Sequence, residues 1–322
     1  MGSGIWSTNV YDAAASYRAA TGASAFAYSD GGATAVHEDL DPFGVTVRES
    51  RDSDEHPESL ALAVLFDVTG SMGNVPRTLQ SKLPDLLGLL MRKGYVEHPQ
   101  ILFGAVGDAT CDRAPLQVGQ FESDNRMDDD LGRILLEGGG GGQMTESYEL
   151  AMYFMARHTA MDCLDKRGKR GYLFLIGDEL AYPKVKAREI NKIIGGEQVE
   201  DIPFAAIVAE LKRKYDVYFI IPEGAYYSAD DRLADFWRTQ LGQNVIRLDD
   251  LDAVCETIAL TVGLAEDAVD LEEGLDHLRE FGSGAGSSVS RALAPLNSRR
   301  GAVAVSAMPT GLDPADTEVT RL

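Results

Sequence analysis

Six short apolar runs punctuate the chain between residues 60 and 248, and the segments between them repeat at helical spacing. ALAVLF (Ala61–Phe66) and ILFGAVG (Ile101–Gly107) are continuous apolar runs, the pattern of strands buried on both faces. Further strands are expected at Leu116–Gly119, Gly171–Gly177, Val217–Pro222 and Asn244–Arg247. Between them, Val75, Leu79, Leu83, Leu86, Leu87 and Leu90 share one face of a helix expected over Val75–Met91. Other helical patterns cover Asp128–Glu137, Thr145–His158, Val185–Ile194, Phe204–Lys214, Asp230–Leu241 and Leu251–Val262. Strands alternating with helices predict an α/β domain over 59–265: a doubly wound, mainly parallel central sheet with helices on both faces.

The flanks differ in texture. Residues 1–58 carry Trp6, Tyr11, Tyr17, Phe26, Tyr28 and Phe43, and end in the charged stretch ESRDSDEHPE; they read as an arm that packs on the main domain. Asn9 is a candidate cap for a short helix, and the alternation over Ser24–Tyr28 suggests a strand. Residues 266–322 read as an extension that is mostly a flexible tail, because after Phe281 no aromatic residue remains to offset the entropy of ordering.

Charge narrows the partners. With 51 acidic against 30 basic side chains the net charge is −21, which repels phosphate backbones and anionic lipid heads. Neither a nucleic-acid nor a membrane-surface role is expected. No run is apolar enough to span a bilayer, and the start MGSGIWSTNVYD lacks the basic and apolar regions of a secretory signal. Three scattered cysteines, Cys111, Cys163 and Cys255, fit neither a disulfide framework nor a zinc site. The expected setting is cytoplasmic. The basic run Lys166–Arg170 reads as a solvated turn, and His158 as a helix-end residue.

The chemistry lies at strand ends, where open α/β sheets bind ligands. The first strand runs into Asp67-Val68-Thr69-Gly70-Ser71, a carboxylate and two hydroxyls on alternate residues. GGGGGQMTESYELA (Gly138–Ala151) is a glycine-rich loop entering a helix, with Thr145 at its start and Gln143 and Glu146 as alternative donors. Asp178 follows the strand GYLFLIG directly. Two carboxylates and three hydroxyls on one edge suit a hard cation, Mg²⁺ or else Mn²⁺ or Ca²⁺, and the absence of Cys and His from these segments disfavours soft metals. So few negative ligands would leave the ion seeking one more anionic oxygen from outside.

Asp67-x-Thr69-x-Ser71 resembles the D-x-[ST]-x-S motif of von Willebrand factor type A (VWA) domains. Thr145 and Asp178 resemble the later Thr and Asp of that family's metal-ion-dependent adhesion site. The resemblance covers about residues 60–262. Gly177 and Glu179 stand where the family commonly has Thr and Gly. It implies that Asp67, Thr69, Ser71, Thr145 and Asp178 hold the metal and that a protein partner's Asp or Glu carboxylate completes its sphere. It also implies an adaptor or assembly factor without catalysis of its own, with an AAA+ ATPase among the possible partners. The same turn is similar to that of haloacid-dehalogenase phosphotransferases, but Thr69 stands where their general acid is expected. An Mg²⁺-dependent enzyme of that type and a structural component of an assembly are the alternatives.

Overall fold

Leu60–Asp67 (β1) is buried at all eight positions, so no alternating polar face survives and the strand can only be central. Around it lie Pro99–Val106 (β2), Leu116–Val118 (β3), Gly171–Ile176 (β4), Tyr215–Pro222 (β5) and Val245–Leu248 (β6). The sheet order is β6-β5-β4-β1-β2-β3, parallel except for the antiparallel edge pair β2–β3. The fold is therefore α/β with a six-stranded, mostly parallel sheet. Strand order runs outward in both directions from the neighbours β1 and β4, which opens a crevice at their carboxyl ends. Register levels those ends: Asp67 pairs with Val106, and Phe66 with Ile176. The computed structural model describes residues 4–72, 74–137 and 144–306, with the side chains of Ser71 and of 298–306 outside that description.

At the N-terminus Ser7, not Asn9, caps helix α1 (Thr8–Thr21), its hydroxyl accepting from the Val10 amide. Asn125 grips the Ser7 backbone with two hydrogen bonds, and the Tyr11 hydroxyl donates to the Gln80 carbonyl at 2.9 Å. The strand expected over Ser24–Tyr28 is instead a bend leading into a helical turn at Ala27–Asp30, because the Ser24 hydroxyl takes the Phe26 amide that a ladder would need. Arg48–Ser50 pairs in parallel with Thr159–Met161.

The helix expected over Val75–Met91 is split into α2 (Val75–Ser81) and α3 (Leu83–Leu87), continuing as a π-helical turn over Gly88–Arg92. Pro84 lacks the amide that would carry the ladder through. Then follow α4 (Arg126–Arg133), α5 (Tyr148–Arg157), α6 (Phe204–Leu211), α7 (Asp231–Leu241) and α8 (Val254–Ala265). His158 ends α5, with its Nδ1 2.9 Å from the Val45 carbonyl oxygen. The run Lys166–Arg170 is not merely solvated: Arg167 pairs with Asp52, Lys166 with Asp52 and Asp162, Lys169 with Glu266, and Arg170 with Asp216.

Beyond residue 265 the expectation of a mostly flexible extension fails. Helices α9 (Leu271–Glu280) and α10 (Gly286–Ser306) follow, and α10 packs on β6 and α8. Val269, Leu278, Val289 and Leu293 are buried there. Leucine, valine and alanine at helical spacing supply an apolar face without aromatic residues. Residues 307–322 lie outside the described residues. No helix among the described residues is long and apolar enough to cross a membrane.

Candidate metal centre

Asp67 closes β1 and is fully buried. Its Oδ1 accepts the Thr69 amide at 2.7 Å, a local turn that aims the other oxygen away from the strand. The Tyr148 hydroxyl donates to Oδ2 at 3.5 Å, a long contact. Thr69 is 3% exposed; its hydroxyl is near enough to favour the Asp67 carboxylate but makes no well-formed hydrogen bond.

Two further carboxylates meet Asp67. Thr145-Glu146 pairs in parallel with Leu180-Ala181, which draws the glycine-rich loop's end to the turn after β4. One oxygen each of Asp67, Glu146 and Glu179 then lie within 4.8 Å of one another, all three side chains buried. Glu146 Oε2 and Glu179 Oε2 have no hydrogen-bond partner. Among the described residues no Lys or Arg forms an ion pair with any of the three.

The other expected ligands fall around this trio. Asp178 is fully buried beside it, and its Oδ2 accepts the Tyr227 amide at 2.9 Å, so Glu179 rather than Asp178 supplies the third clustered oxygen. Thr145 is half-buried and shares a hydrogen bond with Tyr182, whose hydroxyl also donates to Asp108 Oδ2 at 3.0 Å. The Ser71 side chain, Gln143 and the glycines Gly138–Gly142 lie outside the described residues.

Electrostatics follow from this crowding. Burial pushes the Asp67 carboxyl up to about 7, with the Asp178 and Asp112 charges adding to the rise and the Thr69 contacts opposing it. Glu146 and Glu179 are raised as well, first by burial and then by the Asp67 charge. Three buried carboxylates in this space cannot all be charged without a compensating cation; otherwise protons bind and neutralise them. Oxygen-only donors with orphaned atoms suit a hard cation.

A rigid aromatic wall supports the site. Tyr148 is fully buried and meets Phe219 and Trp237 edge to face, at 5.4 and 5.5 Å between ring centres. Trp237 Nε1 donates to the Glu179 carbonyl at 3.0 Å and pins that turn. Gly177 is required here: a Cβ on it would stand 1.8 Å from the Tyr148 hydroxyl oxygen. Gly177→Ala is thus expected to cost about 1–3 kcal/mol through overpacking. Urea denaturation checks this, and Gly177→Ala/Tyr148→Phe should recover part of the loss.

In the sequence Glu146 stands out only as a substitute donor, and Glu179 only as a departure from the VWA pattern. Their signal was two acids adjoining two expected ligands, Thr145 and Asp178. Tyr148 and Trp237 gave no sequence signal of a role at the site.

No family model matches the sequence, and neither does any curated protein. Among solved structures the chain is similar to a pilus adhesin, SpaC, from Lactobacillus rhamnosus GG in its open conformation, at 9% identity and a TM-score of 0.45 over 66% of this chain and 31% of that one. It is also similar to proximal thread matrix protein 1 from the mussel byssus, at 10% identity and a TM-score of 0.41 over 68% of this chain and 49% of that one. The chain thus spans about a third of the adhesin and about half of the thread protein it matches.

Proposed function

We propose that this chain is a VWA-type protein, doubly wound with helices on both faces, that binds a divalent cation and uses the cation-bearing rim to hold a protein partner. Mg²⁺, Mn²⁺ and Ca²⁺ all suit the oxygen donors. The observation that carries the reading is the buried trio of Asp67, Glu146 and Glu179, without an ion pair among the described residues, at the carboxyl end of the two central strands. Asp67 and Thr69 supply the first donors, with Glu146, Glu179 and nearby Asp178 completing an acidic rim. The cation supplies a fixed positive charge at that rim, to which a partner's Asp or Glu carboxylate is drawn. The expected role is binding without catalysis, as an adaptor or assembly factor in the cytoplasm, with an AAA+ ATPase as one class of partner.

The test is a parallel capture of partners on immobilised protein in Mg²⁺ and in EDTA. A partner retained only in Mg²⁺, and lost with a folded Asp67→Ala variant, supports the reading; equal retention in all three contradicts it. One observation favours a second reading, hydrolysis of a phosphate ester through Asp67: its carboxylate would attack phosphorus, Glu179, with its raised proton affinity, would give its proton to the leaving alcohol in place of Thr69, and water would then hydrolyse the aspartyl phosphate. Mg²⁺-dependent hydrolysis of an aryl phosphate, lost in Asp67→Ala, would favour that reading instead.

A further inference from the structure

The cation reading above leaves a coordination position for a partner's carboxylate, yet the chain already brings three of its own. Oxygens sharing one ion at about 2.0–2.6 Å lie roughly 3–5 Å apart, and the 4.8 Å limit on the Asp67, Glu146 and Glu179 oxygens meets that condition. Three carboxylates exceed the charge of a divalent ion before buried Asp178 is counted. A further acid from outside would enter a site already negative, so exchange with one of the three costs less than adding a fourth carboxylate.

The three are not equally free to leave. Asp67 is fully buried at a strand end and tied to the Thr69 amide. Glu146 is 3% exposed and lies in the short pairing with Leu180-Ala181. Glu179 is the most exposed of the three at 6%; its Oε2, like that of Glu146, has no hydrogen-bond partner, and its carboxyl is tied only to the Glu146 side chain, with no backbone amide among the described residues to hold it as Thr69 holds Asp67. Trp237 fixes its backbone carbonyl, so its carboxylate can turn out by side-chain rotation while the end of β4 stays still.

We propose that Glu179 is the chain's own occupant of the position a partner's carboxylate takes. Seated, it closes the ion's shell from within; turned out, it admits the partner's acid. Gating is thus a single side chain exchanging one carboxylate for another on the cation. This rests on the cation reading, and the experiment separates the two.

The probe is Mn²⁺ on the full chain, with coordinated waters counted by water-proton relaxation and affinity read by titration. The wild type should bind one Mn²⁺ with few exchangeable waters. Glu179→Ala should gain one or two coordinated waters, raise the relaxivity about 1.5–2-fold and weaken Mn²⁺ roughly tenfold. Added acetate should then lower the relaxivity of Glu179→Ala but not of the wild type. Glu179→Gln, closer in shape, should show the same loss of affinity if the alanine variant folds poorly. Wild-type binding with unchanged water count and affinity in both variants overturns the gating role alone. No Mn²⁺ binding by the wild type overturns the cation centre and the gate together.

Discussion

Asp67→Asn is expected to melt higher than the wild type when both are stripped of metal at pH 8, and to lose all response to added cation. The asparagine keeps an oxygen for the Thr69 amide but removes one of three mutually repelling buried carboxylates. The rise of the Asp67 carboxyl from 3.8 to about 7 sets the cost of its charge near 4 kcal/mol at most. Burying an amide without full pairing takes back about 1–3 kcal/mol, leaving a net gain on the order of 1–3 kcal/mol. At about 2 °C per kcal/mol for a chain of this size, the variant should melt roughly 2–6 °C higher. Mg²⁺ at a hundredfold excess over its Kd should stabilise the wild type by ~2.7 kcal/mol, or about 5 °C, and the variant not at all. Thermal melts with EDTA and with Mg²⁺ check both signs; a variant that responds to cation like the wild type contradicts the assignment.

The second large effect is on pH. In chelator, stability should fall as pH rises from about 5 to 8. The folded chain holds protons on Asp67, Glu146 and Glu179 that the unfolded chain has already released above the ordinary carboxylate range. The unfolded state therefore binds fewer protons across this window, and the slope of stability against pH is negative. Their contribution is complete below the unfolded values and disappears as pH passes the folded ones. For Asp67 alone the change approaches 4 kcal/mol. Saturating Mg²⁺ should flatten or reverse the slope, since the ion takes up deprotonated ligands. Below pH 4 the opposite sign enters: despite burial, Arg167, Ser59 and Lys166 hold the Asp52 carboxyl low, and protonating it removes that support. Urea titrations at pH 3, 5.5, 6.5, 7.5 and 8.5 with and without Mg²⁺ measure both limbs, and a chelated protein that grows more stable from pH 5.5 to 8.5 contradicts the account.

The central strands were legible because a strand buried on both faces must be apolar throughout, as Leu60–Phe66 and Gly171–Ile176 are. Asp67 was legible because a carboxylate ending such a run stands at the crevice edge. Glu146 and Glu179 were harder, since acids in Gly-rich and polar segments look solvated until a long-range pairing such as Thr145–Leu180 buries them. Local competition hid the bend at Ser24–Phe26, where a side-chain oxygen outbids the ladder. Helices α9 and α10 are hidden for a different reason: their buried face is built from Leu278, Val289 and Leu293 without any aromatic residue after Phe281.

The claim on which the rest depends is that one hard cation binds among the oxygens of Asp67, Glu146 and Glu179. Titrating Mn²⁺ into chelator-stripped protein at pH 7.5, and following free Mn²⁺ by electron paramagnetic resonance, tests it most directly. One equivalent should disappear from the free signal before it rises, return on adding excess Mg²⁺, and fail to bind in Asp67→Asn. A free Mn²⁺ signal that grows in proportion from the first addition would contradict the account.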